Sequence, residues 1–205
     1  MTDKLEVYGD SISGNCYKIQ LICAQLDIDH VWHELDLMKG AARTEQFLEM
    51  NPNGKTPVLK LPDGRCLPES NAILYYLANG SALLGTDAFA TATILSWMFF
   101  EQYSHEPFVA TSRFIIKYLG NPPEKQASLE GKRAGGYRAL DVMEGELGKN
   151  DFFADNRYSI ADITLYAYTH VAHEGGFDLT DYPNINAWFK RVEEQPGYTP
   201  MNSSS

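Results

Sequence analysis

Near residue 80 the hydrophobic period of this chain changes abruptly, and the change divides it into two folding problems. Before that point short alternating runs are mixed with helical ones, and after it only helical spacing recurs. Leu5 and Val7 alternate with polar neighbours and predict a first strand. Turn residues fill Gly9 to Gly14. Ile19, Ile22, Cys23 and Leu26 then recur at helical spacing, which puts Lys18, Gln20 and Gln25 on the outer face. Val31, Leu35 and Leu37 mark a second strand, and Arg43 to Met50 a short helix. Val58-Leu59-Lys60-Leu61, the turn Pro62-Asp63-Gly64-Arg65 and Cys66-Leu67 read as a hairpin. A helix from Ser70 to Ala78 completes the series. A βαβ unit followed by ββα is the plan of a thioredoxin-like domain, expected here over residues 1–80.

Asn79-Gly80-Ser81 supplies a flexible joint, and the pattern from Asp87 predicts an all-helical domain over residues 87–205. The aromatic-rich stretch Ala88 to Tyr118 is expected to kink at Pro107. Pro122-Pro123 breaks it, and Glu124 to Leu147 gives the next helix. Ser159-Ile160-Ala161-Asp162 reads as a capping box that starts a buried helix from Ile160 to about His173. Pro183 opens a last helix, and the tail Met201 to Ser205 is expected to fray.

Composition removes several function classes. The formal charge of −10 argues against nucleic acid, which calls for a basic face. No apolar run approaches the roughly 20 residues of a membrane helix, and the opening residues do not resemble a signal peptide. Cys16, Cys23 and Cys66 form no CxxC pair and no metal-ligand pattern, so no metal is expected and a reducing, cytoplasmic setting is. An anionic ligand would need cations concentrated at its site, because steering at long range is repulsive.

Three local features point to one chemistry. Ser11-Ile12-Ser13-Gly14-Asn15-Cys16 stands where the first helix begins, and a hydroxyl there can donate to a thiolate beside the positive end of the helix dipole. A free thiol with pKa near 8.5 is only about 3% ionised at pH 7, and lowering that pKa by roughly 2 units requires about 2.7 kcal/mol. Capping of the helix by these serines is the plainer alternative. Thr56-Pro57-Val58 enters the third strand; a cis bond would turn the Thr56 N–H and C=O toward an extended peptide, whereas a trans proline would be an ordinary loop residue. At Pro68-Glu69-Ser70 the Ser70 N–H and hydroxyl suit a carboxylate and Glu69 an ammonium group, with an N-cap beside a solvated acid as the alternative. A tripeptide with an amino-acid head, a central thiol and a carboxylate tail would touch all three, and glutathione is that molecule. Lys39, Arg43 and Lys55 are the cations available for its glycyl carboxylate.

With these residues, the chain resembles a cytosolic glutathione transferase from about Lys4 to Gln195. Asn51-Pro52-Asn53-Gly54-Lys55-Thr56-Pro57-Val58-Leu59, Glu69-Ser70-Asn71-Ala72-Ile73 and Ser159-Ile160-Ala161-Asp162 carry the resemblance. It implies thiolate stabilisation by Ser13, with Ser11 as the alternative, as in the serine-type theta and delta classes. It also implies main-chain pairing at Thr56, a glutathione contact from Lys55, a γ-glutamyl group held by Glu69 and Ser70, and a homodimer using glutathione as co-substrate. Two positions depart from it: Ala42-Arg43 where those classes often place a histidine, and Asn71 where an arginine often follows the Glu-Ser pair. Arg113, Phe114 and Tyr118, late in the first long helix, are candidates for the wall that receives a small apolar electrophile. Conjugation, peroxide reduction, isomerisation and dehalogenation are not separated at this stage. Two rivals are carried forward: glutathione thiol/disulfide exchange through Cys16, and a binding or regulatory module without catalysis.

Overall fold

The computed structural model describes residues 4–201, so the expectations placed on 1–3 and 202–205 lie outside the described residues. The chain forms two compact units, one of residues up to 79 together with the segment from 195, the other of residues 80–194. The expected helical domain ran to 205. Instead residues 195–201 belong with the first unit, where the Thr199 carbonyl accepts from the Tyr17 hydroxyl at 2.7 Å.

The first unit is built on a four-stranded sheet of order β2-β1-β3-β4, with β1 (Leu5–Gly9), β2 (His30–Glu34), β3 (Val58–Lys60) and β4 (Cys66–Pro68). β1 pairs parallel with β2 and antiparallel with β3, and β3 pairs antiparallel with β4. α1 (Gly14–Gln25) crosses between β1 and β2, α2 (Glu45–Met50) precedes β3, and α3 (Ser70–Leu77) follows β4. This is the expected thioredoxin-like plan. Leu37, assigned from its period to the second strand, lies instead in a 3₁₀ turn, Leu37–Lys39, capped by the Asp36 side chain. Tyr8 and Val58 are register partners and pack with Phe47 of α2 and Ala42, while Val7 and Leu59 point to the opposite face and are fully buried. Gly9 is a site of close approach: a Cβ there would stand 2.9 Å from Cys16 Sγ.

The outer face expected for α1 does not contain Lys18. That side chain is fully buried, as are those of Tyr17, Ile19, Leu21 and Ile22, and α1 packs against α3. Its amphipathic stripe is therefore wider than the spacing of Ile19, Ile22, Cys23 and Leu26 alone indicates.

The second unit is helical: α4 (Ala88–Phe100), α5 (Glu106–Arg113), α6 (Gln126–Leu147), α7 (Ile160–Thr169) and α8 (Pro183–Glu193). A π turn, Glu101–His105, joins α4 to α5 directly before Pro107, and a second, Phe114–Tyr118, follows α5. Proline lacks an N–H and crowds the carbonyl four residues back, so the helix widens where a kink was expected. The turn carries Glu101 and His105 inward, both fully buried, while Gln102 and Tyr103 stay exposed. His105 Nε2 meets Thr169 Oγ1 at 3.1 Å.

The capping box of α7 forms as the sequence indicates. Asp162 is fully buried and accepts from the Ser159 N–H at 3.0 Å, the Ser159 hydroxyl at 3.2 Å, the Phe153 N–H at 3.3 Å and Trp188 Nε1 at 3.0 Å. Burial pushes its carboxyl up to about 7 while those donors pull it down. α7 ends at Thr169, short of the expected His173, and a 3₁₀ turn, Ala172–Gly175, follows. Among the described residues no helix is long and apolar enough to cross a membrane.

Candidate functional site

Strand register brings the three sequence features to one end of the sheet. Tyr8, Val58 and Pro68 lie side by side across β1, β3 and β4. The loop leaving β1, the Thr56-Pro57 entry to β3 and the Glu69-Ser70 exit from β4 therefore emerge together.

Ser13 is the N-cap residue of α1 with extended backbone, φ −76° and ψ 130°, yet its side chain makes no cap hydrogen bond. The Ser11 hydroxyl is committed elsewhere, donating to Glu34 Oε1 at 3.1 Å beside the Ser11 N–H at 2.9 Å. The other Glu34 oxygen accepts from Trp32 Nε1 at 2.6 Å. Ser11 faces an open cleft of ≈ 750 Å³ whose lining includes Trp32 and Glu34 but none of Ser13, Thr56 or Ser70.

Cys16 turns into the core. Its thiol has no exposure and accepts from the Asp10 N–H at 3.4 Å. Burial pushes it up to about 11, against hydrogen bonds from the Thr56 hydroxyl, the Asp10 N–H and the Ser13 hydroxyl that act the other way. The Thr56-Pro57 peptide bond is cis. Asn51 fixes the approach to it by donating to the Lys55 carbonyl at 2.7 Å.

Glu69 precedes α3 with φ +72°, a conformation that costs a side-chain-bearing residue energy, and its side chain is exposed and makes no cap bond. Ser70 is buried. Its hydroxyl gives its proton to Asn15 Oδ1 at 3.1 Å and accepts from Lys18 Nζ at 3.4 Å, so it points inward, and α3 offers its leading N–H groups instead. Lys18 Nζ also donates to Asn71 Oδ1 at 3.1 Å. Sequence reasoning missed Asn15 and Lys18. The available signal was the apolar Tyr17 and Leu21 flanking Lys18, which leave α1 little outward surface.

The three cations stand on exposed segments. Lys39 pairs with Asp36 at 2.9 Å, Arg43 donates to the Asn53 carbonyl at 3.2 Å, and Lys55 is exposed. In the helical unit Arg113 is only 2% exposed and its Nε meets Glu174 Oε2 at 2.5 Å, with Lys117 on the other carboxylate oxygen. Arg113 is thus held within its unit by an ion pair. Phe114 is exposed and stacks on Tyr118, ring centroids 5.0 Å apart. Among the described residues no group of His, Cys, Asp and Glu is arranged to hold a metal.

Comparison with known proteins adds independent weight. The family model "Glutathione S-transferase, N-terminal domain" matches residues 12–79, and "Glutathione S-transferase, C-terminal domain" matches residues 96–196. A glutathione S-transferase from Pseudomonas fluorescens [Pf-5] is 51% identical, covers 97% of this chain and 99% of its own, and superposes with a TM-score of 0.95. The yeast protein Ure2p, solved in complex with glutathione, is 21% identical with a TM-score of 0.86 over 96% of this chain and 93% of its own, a likeness of fold. Among curated relatives, elongation factor 1-gamma from Equus caballus is 32% identical over 161 residues, 76% of this chain. The chain spans 36% of that relative's length. With both halves matched by family models and the plan of the sheet in place, this chain belongs to the glutathione S-transferase family.

Proposed function

We propose that the protein is a cytoplasmic, serine-type glutathione transferase that joins the glutathione thiolate to small apolar electrophiles. The observation that carries this reading is the Ser13 hydroxyl. It caps no backbone group of its helix and, among the described residues, is engaged only with the buried Cys16 thiol; it stands at the positive end of α1, and it shares one end of the sheet with Thr56 and Ser70. In this reading Ser13 donates to the thiolate, the Thr56 main chain pairs with the cysteinyl residue, and the start of α3 takes the γ-glutamyl carboxylate with Glu69 on its ammonium. Arg43 and Lys55 serve the glycyl carboxylate, while Lys39, already paired with Asp36, is the weaker choice. Phe114 and Tyr118 offer an apolar surface for the electrophile. The enzyme contributes nucleophile activation and proximity rather than acid chemistry.

Supporting a homodimer, Phe89, Phe99 and Tyr103 leave 83%, 70% and 85% of their surfaces exposed along α4 and its π turn. The cysteine mechanism is opposed by the depth and low acidity of Cys16. A second reading, a glutathione-binding module without turnover, is favoured by the likeness to elongation factor 1-gamma, since a fold does not fix an activity.

The test is kinetic, with glutathione and chlorodinitrobenzene. Loss in Ser13→Ala with retention in Cys16→Ala supports the serine enzyme, and the reverse supports Cys16. Retention of the wild-type chain on immobilised glutathione without any turnover would favour the module.

A further inference from the structure

Lys18 is a buried charge that thiolate chemistry does not use. An aliphatic side chain would fill its place in α1 without the cost of desolvating an ammonium group. Its Nζ meets the first two residues of α3, Ser70 Oγ at 3.4 Å and Asn71 Oδ1 at 3.1 Å, and Asn15 locks Ser70 from the other side at 3.1 Å. The charge therefore stands behind the helix start whose leading N–H groups have no partner within the helix. Both contribute positive potential at one point, and a buried charge is little screened by salt. Around it Glu69, exposed and held at φ +72°, supplies the opposite sign. A cation behind the helix start and a carboxylate on the residue that precedes it offer the two signs that an amino-acid head needs.

We propose that Lys18 is a positioning residue that sets specificity for the α-carboxylate of the bound peptide's amino-acid head, acting through Ser70 and Asn71 at the start of α3. The inference rests on the glutathione reading and sharpens it. It also explains how a chain of net charge −10 draws in an anion: the attracting charge is local and internal.

Calorimetric titration of the full chain separates the possibilities. The two ligands are glutathione and 4-aminobutanoyl-cysteinyl-glycine, which is glutathione without the α-carboxylate. Lys18→Met is expected to weaken glutathione about tenfold and the decarboxylated peptide less than about twofold. Lys18→Arg is expected to restore the preference. Asn71→Ala, which loosens the same tether from a half-buried position, is expected to give the same selective loss at smaller size and serves if Lys18→Met does not fold. Equal weakening of both peptides by these variants would overturn the proposal and make Lys18 a purely structural residue. A wild-type chain that binds neither peptide would overturn the glutathione reading itself, and this inference with it.

Discussion

Ser13 and Cys16 lie three residues apart at the start of α1, near enough for the Ser13 hydroxyl to reach the thiol, yet they differ in burial. The thiol goes to the core, where burial raises it to about 11, so Cys16 is almost wholly protonated at neutral pH. The hydroxyl remains half-exposed at the helix end. If Ser13 lowers a bound thiol from about 8.5 to about 6.5, the ionised fraction at pH 7 rises roughly 25-fold. Ser13→Ala should therefore cut kcat/KM for conjugation by about that factor at pH 7, with the deficit closing as the assay pH approaches 9. Cys16→Ala should change the rate less than about threefold, its cost falling on stability as a small core cavity. Gly9→Ala should be worse than either for folding, because a Cβ would press on Cys16 Sγ and the Trp32 ring.

At the scale of elements, the clearest device is the start of α7. Asp162 answers the Ser159 N–H, the Phe153 N–H and the Trp188 indole together, so Asp162→Ala leaves buried donors without their acceptor. A loss of about 3 kcal/mol or more is expected in denaturant unfolding. His170 sets a pH dependence. Burial drives its imidazole down to about 4, its Nδ1 meets the Tyr166 carbonyl at 2.6 Å, and it stacks on the Tyr166 ring. The folded state keeps this ring neutral while the unfolded chain takes a proton near pH 6.5. Its contribution is thus complete above about pH 6.5 and is lost as pH falls toward 4, on the order of 3 kcal/mol in all. Asp162, raised to about 7, acts with the opposite sign over the same interval, so the test is the difference: the melting temperature of His170→Gln should fall less, or rise more, than the wild type's between about pH 6.5 and 4.

For the whole molecule, the sequence was most legible where chemistry is local. The first strand, the Pro62-Asp63-Gly64-Arg65 turn of the hairpin and the Ser159 cap each depend on neighbours a few residues away and appear where expected, whereas the second strand ends at Glu34, before the Leu35 and Leu37 that its alternation included. Features set by contacts distant in sequence were hidden. The polar character of Lys18, Glu101 and His105 argues for exposure, and only packing against α3, or the π turn before Pro107, puts them inside. The return of residues 195–201 to the first unit has no signature in period or composition. At this scale the exposed aromatics of α4 bear on assembly: Phe99→Glu with Tyr103→Glu should convert a dimer to a monomer by light scattering while leaving the fold intact. The central claim, that the Ser13 hydroxyl keeps bound glutathione ionised, is tested most directly by ultraviolet difference titration of the thiolate in the saturated complex. A bound thiol with pKa near 6.5 in the wild type, returning toward 8.5 in Ser13→Ala, is the expected result. A bound thiol no more acidic than free glutathione, or one equally acidic without the hydroxyl, would contradict it.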